Sequence, residues 1–529
     1  MPSSSDSGPD ESTSWFIQES ERNPILGNPI TDGNDIQFFI EYRDYYRALA
    51  EAISRATGES HFIYFADWQL ILDTWMDTPK GRMTFQALLK GASDNKVQIR
   101  ALLYSGQALN DPVHNHPMAD WINKLPTGGA ILDWRYLDAG SHHQKMVIIL
   151  NEDGVVGFCG GMDIAEDRQK RDGGPKPPKP NEPVAWHDVQ VRIKGPAAYH
   201  LWRTFYARWA DNPLSQKDFG LVNQRSIKIP PFAPAGTGQK RVQVVRTSGN
   251  GSRHAGLKFP EPTTPSTYYY APTGEMTIYK LLCKAIKSTK EYIYLEDQYL
   301  VESERMGNNP SIAEVLASTL ARSSFKQMII LLPGAGSLQG ELFQVWRRRT
   351  RFWQQLGPKA ASKVAIYSYV GDPESPYLVH SKTWIFDDRF AVIGSANCNR
   401  RGYSHDSEIA VGIFDLEPKQ GQLPFAQELR VSLWMKHLNR KGKQRTRAEL
   451  IDFRTGAALW EESGALLTRI DLVHPTNEPP DHHISPWLSP SITLELPAVS
   501  FLLSSKPSLK VALFDWDREW DWLIDPDGA

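Results

Sequence analysis

Two short stretches of this chain carry a histidine and a lysine two residues apart, each just before an apolar run: His143-Gln144-Lys145 before MVIIL, and His380-Ser381-Lys382 before TWIFD. After each come a turn, a second apolar run and a small-residue turn that closes on an acid or amide. These are VVGFCGGMD, ending at Asp163, and RFAVIGSAN, ending at Asn397. Runs of this length read as strands, whose alternation puts the His and the Lys of each pair on one face. Gly160-Gly161 and Gly394-Ser395 let the backbone approach a ligand closely. The chemistry such a set can do is displacement at phosphorus. A neutral imidazole attacks the phosphorus of a diester and holds it as a phospho-histidine. A second, protonated imidazole gives its proton to the leaving alcohol. Two lysines neutralise the charge of the transition state. One histidine must be neutral and the other protonated, so their surroundings must separate their pKa values.

One His-x-Lys by itself carries no weight; two copies at matching places, each followed by a small-residue turn, do. The adjacent His142 lacks a lysine two residues on and reads as structural. His114 and His116 offer two metal ligands without a third at suitable spacing, and His482-His483 beside Asp481 read as surface residues. No metal site and no cofactor is expected. The chain has no phosphate-binding Gly-rich loop with Lys-Ser/Thr, no H-E-x-x-H and no G-x-S-x-G.

The elements that position these residues form an internal repeat. YRALAEAISRATGESHFIYFADWQL and YKLLCKAIKSTKEYIYLEDQYL share Leu49, Ala52 and Ile53 with Leu282, Ala285 and Ile286, spaced as one face of a helix. A β-rich run follows in both, matching Ile63, Tyr64, Asp67 and Leu70 to Ile293, Tyr294, Asp297 and Leu300. Each half therefore reads as helix, strand, then the His-x-Lys hairpin.

The 529 residues carry a formal net charge of −2, which argues against a dedicated nucleic-acid binder. Three cysteines, Cys159, Cys283 and Cys398, give no disulfide framework. The acidic, polar start MPSSSDSGPDESTSWF has no leader of the Sec type, and no apolar run approaches the ~20 residues of a membrane span. A cytoplasmic or peripheral-membrane location is expected, with export by a non-classical route left open. Proline-rich stretches at Arg171–Pro183 and Pro475–Pro490 read as exposed loops. Of the seventeen tryptophans, Trp516, Trp520 and Trp522 could anchor at a bilayer. Their acidic neighbours favour packing onto the body of the protein instead.

At these residues the sequence resembles the phospholipase D superfamily, whose signature is HxKxxxxD followed by a GG or GS turn, twice. The second copy is complete, with His380, Lys382, Asp387 and Gly394-Ser395-Ala396-Asn397; the first has Leu150 where the acid belongs, with Asp153 three residues on. IYLEDQYL, AWHDVQVRIKGPAAYHL, DSEIAV and LRVSLWMKHL are similar to accessory segments of phospholipases D proper, so the likeness runs from about Glu41 to Leu438. It implies an α/β protein of two pseudo-twofold-related α/β/α lobes, the phospholipase D fold, with the active site at the lobe interface and a monomer sufficient. Residues 1–35 would be a disordered or irregular segment, 36–224 the first lobe, 225–274 a linker with one strand, 275–440 the second lobe, and 441–529 a segment packed on the catalytic body.

The resemblance further implies His143 as nucleophile and His380 as general acid, then base. Lys145 and Lys382 would hold the phosphate with Asn397, Asp163, Ser395 and Gly161, while Asp387 supports the motif. Asp188 from the opposite half would orient His380, and Glu408 would orient His143. The implied reaction is metal-independent hydrolysis of a glycerophospholipid at a membrane surface to phosphatidic acid and head-group alcohol, with transphosphatidylation when an alcohol replaces water. The competing readings are a nuclease of the same chemistry, a catalytically impaired lipid-binding protein suggested by Leu150, and a phosphatidyl-transfer synthase. The last is disfavoured because such enzymes commonly span the membrane. No nucleic acid and no obligate protein partner are expected.

Overall fold

A computed structural model of the chain describes residues 11–105, 115–133, 135–136, 140–165, 185–216, 226–231, 236, 238–249, 268–301, 304–333, 343–369, 377–416, 420–439, 444–462 and 467–469. The repeated apolar triads lie on the buried faces of two helices, Tyr42–Ser54 and Thr277–Ser288. Each runs into a fully or nearly fully buried strand. The strands of the first half that join the main sheet are β1 (Ile30–Phe39), β2 (Phe62–Asp67), β3 (Gln98–Tyr104), β4 (Gly128–Asp133), β5 (Met146–Asn151), β6 (Gly154–Gly160) and β7 (Gln190–Lys194). In the second they are β8 (Lys240–Ser248), β9 (Tyr292–Glu296), β10 (Gln327–Leu332), β11 (Val364–Tyr369), β12 (Thr383–Phe386), β13 (Phe390–Gly394), β14 (Glu408–Asp415) and β15 (Leu467–Arg469).

All of these strands join one sheet in the order β15-β11-β10-β9-β12-β13-β14-β8-β1-β7-β6-β5-β2-β3-β4. The order matches outward from the β8–β1 seam in both directions for seven strands, and β15, antiparallel to β11, is an addition at the second half's edge. Each half runs antiparallel through its hairpin to β2 or β9, then continues with two strands parallel to it. Helices cover both faces. Pro196–Asp211, Phe425–Leu438 and Phe453–Glu461 cover a core shared by both halves. On the opposite face each half has a core of its own, under Tyr42–Ser54 and Phe85–Asp94 in the first and under Thr277–Ser288 and Ile312–Leu320 in the second. The α/β architecture with pseudo-twofold halves is thus present, with the two halves fused edge to edge through a continuous sheet.

The beginning of the chain differs from expectation. The supposedly irregular segment 1–35 contains Trp15, Phe16 and Ile17, all buried in the core of the second half. Ile17 donates its N–H to the Gln243 side chain at 3.0 Å and accepts from it at 3.1 Å. β1 already begins at Ile30, so the expected lobe boundary at residue 36 cuts a central strand. The partners lie more than two hundred residues away, which local pattern does not reveal. The segment 225–274 supplies β8, the other seam strand. Beyond residue 440, the helix Phe453–Glu461 packs Trp460 against Trp434, and β15 pairs with β11. Trp516, Trp520, Trp522, His114, His482, His483 and both proline-rich stretches lie outside the described residues. Among the described residues, no helix is long and apolar enough to cross a membrane.

Candidate active site

The two His-x-Lys segments, which lead into β5 and β12, bring their imidazoles together from the two halves. Backbone pairing between halves sets them there. His143 N–H donates to Ser407 O at 2.9 Å, and His380 N–H donates to His187 O at 2.8 Å. Ser407 and His187 are the residues immediately before Glu408 and Asp188. Each histidine is therefore tied by its backbone to the segment that carries its carboxylate. The side chains complete the exchange: Glu408 lies 2.9 and 3.1 Å from His143 Nδ1, and Asp188 lies 2.5 Å from His380 Nδ1. The two imidazole centroids are 6.4 Å apart.

Burial dominates the electrostatics. His143 is held well below the ordinary histidine value, first by desolvation and then by Lys145 and Lys382. Asp188 and Glu408 are each pushed up to about 7 by burial, against the pull of the lysines. Lys382 is pushed down to about 8, again chiefly by burial, with Lys145 adding to the effect. Removing charges from water disfavours every ionised form, so the groups ionise only as partnered sets.

The lysines have matching partners that the sequence reading missed. Lys145 Nζ sits 5.8 Å over the Trp68 ring and 3.4 Å from Asp163 Oδ1. Lys382 Nζ donates to Gln298 Oε1 at 3.1 Å. Trp68 and Gln298 directly follow Asp67 and Asp297, a matched pair of the internal repeat, so the repeat already pointed to them. Trp186 packs on His380 with centroids 4.5 Å apart. His142 is buried and structural, with Nδ1 2.7 Å from Ser407 Oγ, and burial takes it down to about 4.

Three expected site residues do other work. Asp387 accepts from the backbone N–H groups of Lys290, Glu291 and Tyr292 at 2.6, 2.9 and 2.9 Å. It ties the helix-to-strand loop to the β12–β13 turn and is not a member of the catalytic cluster. Ile63 pairs with Ile149 and Ile293 with Phe386, so Leu150 occupies the place of Asp387. There the loop is tied instead by Asn151, whose Nδ2 donates to Ala52 O at 2.9 Å, and by an Arg55–Asp153 ion pair of 2.5 Å. Ser395 commits its hydroxyl to Glu408, not to a ligand. Gly161 makes room for Asp188: a Cβ there would lie 2.1 Å from its Oδ1. The close approach that a glycine permits is used by the protein's own carboxylate.

His187, Glu296 and His437 hold three potential metal-ligand atoms within 4.8 Å of one another. Their geometry is that of a hydrogen-bonded lock. Glu296 accepts from His187 Nε2 at 2.7 Å, His437 Nε2 at 2.9 Å and Tyr294 Oη at 2.7 Å. Lys436 Nζ lies 2.9 Å from His187 Nδ1. An ammonium donating to that nitrogen occupies the position where a metal-bound histidine would present its own N–H to an acceptor. The lock joins Phe425–Leu438 to β9 and fixes the strand residue next to Asp188.

Residues 170–316 match the family described as Phospholipase D, and residues 282–432 the family described as Cardiolipin synthase, PLD-like domain. The chain is 24% identical over 531 residues to phospholipase D alpha 3 of Arabidopsis thaliana, covering 74% of this chain and 63% of that one. It is 24% identical over 524 residues to phospholipase D alpha 1 of Cynara cardunculus, covering 75% and 64%. It thus spans less than two thirds of the length of these relatives. A solved phosphatidylserine synthase of Haemophilus influenzae Rd KW20 superposes with a TM-score of 0.49 at 13% identity, over 77% of this chain and 87% of that one. The two family matches and these relatives support membership of the phospholipase D superfamily.

Proposed function

We propose that this protein is a phospholipase-D-type phosphodiesterase that cleaves the head-group bond of glycerophospholipids without a metal. The observation that carries this reading is the cross-exchange at the seam, where each His-x-Lys histidine has its Nδ1 on a buried carboxylate of the opposite half. A carboxylate on Nδ1 fixes the tautomer and assigns the chemistry to Nε2.

In the first step the lone pair of His143 Nε2 forms a bond to phosphorus while the bond from phosphorus to the head-group oxygen breaks. That oxygen takes the proton of His380 Nε2 and leaves as the alcohol. In the second step water attacks phosphorus and passes its proton to His380. The N–P bond breaks, its electron pair returns to His143, and phosphatidic acid departs. A primary alcohol in place of water yields the phosphatidyl alcohol. His143 suits the nucleophile because burial and two lysines keep it neutral. His380 suits the acid because it meets Asp188 in a single short hydrogen bond, which supports an imidazolium. Lys145, Lys382, Asn397 and Asp163 hold the phosphate. The impaired-enzyme reading loses its motive, because the acid that Leu150 replaces ties a loop.

The test uses mixed phosphatidylcholine and phosphatidylethanolamine vesicles with a primary alcohol and a chelator, products being read by mass spectrometry. A phosphatidyl alcohol that is absent with His143→Ala is the expected result. A requirement for an added divalent ion, or turnover of DNA in preference to lipid, overturns the reading. In the His380→Ala variant, the phosphatidyl group should be trapped on His143; a group trapped on His380 in His143→Ala reverses the two roles.

A further inference from the structure

One residue stands between the histidine and the lysine of each pair, and the two halves differ there. Ser381 keeps its hydroxyl within its own segment, donating to Thr383 Oγ1 at 2.8 Å. Gln144 reaches across the seam. Its Nε2 donates to Glu408 O at 3.1 Å, and its Oε1 accepts from Arg208 Nη1 at 2.8 Å. The amide has one workable orientation, because a flipped one would set N–H against N–H and carbonyl against carbonyl. Gln144 and Arg208 are both buried, so water does not compete for these bonds.

The bonds continue into a closed ring. Arg208 Nη2 donates to Asp133 Oδ2 at 3.0 Å, and Asp133 is also ion-paired with Arg135 at 3.2 Å. Asp133 Oδ1 lies 3.3 Å from His142 Nε2. An ionised carboxylate only accepts, so His142 carries its proton on Nε2, and its Nδ1 accepts from Ser407 Oγ at 2.7 Å. Ser407 is joined by its peptide to Glu408, whose carbonyl returns to Gln144. Every side chain of the ring is buried. Three successive residues of the first half thus grip one dipeptide of the second. His142 takes the Ser407 hydroxyl, His143 takes Ser407 O and the Glu408 carboxylate, and Gln144 takes Glu408 O. On the other side of the site the His187–Asp188 dipeptide is gripped by different residues, through the bond from His187 to Glu296.

We propose that Gln144 is a positioning residue for His143, acting through Glu408 and held in place by Arg208. Nδ1 of His143 rests on the Glu408 carboxylate, so the imidazole keeps its tautomer and its aim only while that residue stays at a fixed distance from the first half. The bond from His142 fixes the Ser407 end of the dipeptide, and the bond from Gln144 fixes the Glu408 end. Arg208 and Asp133 anchor both of these bonds to the body of the first half. Without Gln144 the Glu408 end is free to draw back with its own strand, to which the Ser395 hydroxyl also ties it. The role of Gln144 in catalysis rests on the proposed function; its hold on the His143 ring does not.

The test is Gln144→Met, which keeps the length of the side chain and removes both of its polar bonds. Imidazole nitrogen chemical shifts are read in histidine-labelled protein through the carbon-bound ring protons, and the two rings are assigned from the His143→Ala and His380→Ala spectra. In the variant the His143 Nδ1 shift should move toward the average of the two tautomers, while the His380 shifts stay in place. On phosphatidylcholine vesicles kcat should fall by about 10- to 100-fold, the scale of a displaced catalytic group, with KM within about twofold. Should Gln144→Met fail to fold, Gln144→Glu is used, which keeps an acceptor for Arg208 and takes the donor away from Glu408 O. An unmoved His143 shift overturns the proposal, and so does an equal movement of both rings, which marks a general loosening. A moved His143 with kcat unchanged also overturns it. Lipid turnover with an unmoved ring refutes the positioning role alone. A moved His143 in a protein that cleaves no lipid refutes the lipase reading alone.

Discussion

Replacing Gly161 with alanine should disable the site without touching a reacting atom. The new Cβ would lie 2.1 Å from Asp188 Oδ1 and 2.6 Å from its Cγ and Oδ2. Ordinary van der Waals separation requires the carboxylate to retreat by about 1 Å. Asp188 is fully buried, donor-bound at Val189 N–H (2.8 Å) and at His380 Nδ1 (2.5 Å), so it cannot retreat without releasing the imidazole. A displacement of about 1 Å in a catalytic constellation costs on the order of 100-fold in rate, or about 2.7 kcal/mol of transition-state stabilisation. The assay is choline release from phosphatidylcholine vesicles. Gly157→Ala serves as a control for overpacking, because its Cβ meets the flexible end of Leu201 at 2.6 Å, away from the cluster. In an Asp188→Ala background the Gly161→Ala change should cost nothing further, since its target is gone. Retention of activity within about threefold, or full additivity with Asp188→Ala, would refute the steric coupling.

Asp387→Ala should cost about 1–3 kcal/mol of stability through loss of three backbone acceptor contacts, read as a lower melting temperature, with kcat within about twofold; a catalytic collapse would return Asp387 to the reacting cluster. Arg430→Ala should cost about 3–5 kcal/mol in urea unfolding, because the guanidinium is fully buried between Asp388, Leu450 O and Ile451 O and over the Trp434 ring. Lys382 is pushed down to about 8 by burial, so activity should fall as pH rises through that value. Its folded pKa lies below its unfolded one, so over the interval between them the unfolded chain binds more protons. This group's contribution to stability therefore rises with pH while activity falls. A pH-rate profile paired with denaturant midpoints separates the two.

The repeat was legible because a helix face and a buried strand leave periodic apolar residues in the sequence. Leu49, Ala52 and Ile53 sit on the helix packed over Ile63, as Leu282, Ala285 and Ile286 do over Ile293. The two His-x-Lys pairs, and the contacts of His143 with Glu408 and of His380 with Asp188, follow from residue type, spacing and family likeness. What stayed hidden was whatever depends on contacts between distant segments. Trp15–Ile17 are flanked by polar residues and look like a tail, yet their pocket is built from residues of the second half. Gly161 and Ser395 looked like ligand contacts because small residues near a site are ambiguous. Only the structure shows that Asp188 and Glu408 occupy the space. Asp387 was grouped with the catalytic residues because it stands in their motif, but its partners are three backbone N–H groups of a loop.

A symmetric frame with two histidines does not by itself decide which one attacks. The roles must come from the places where the halves differ, and those places form one connected set. Glu408 divides its oxygens between His143 and the Ser395 hydroxyl. Asp188 has a single short bond to His380 and a backbone donor. Lys145 has an aromatic face beneath it and a carboxyl beside it, while Lys382 has an amide. The His143 side combines lysines that suppress an imidazolium with a carboxylate partly drawn off by a hydroxyl, which favours the neutral, attacking ring. The His380 side concentrates a carboxylate on one Nδ1 proton, which favours the charged, donating ring. Swapping the amide and the carboxyl, through Asp163→Asn together with Asn397→Asp, should weaken this division. The phosphatidyl group trapped after a brief reaction should then be found on both histidines; exclusive trapping on His143 would place the deciding asymmetry in Glu408 and Asp188 alone.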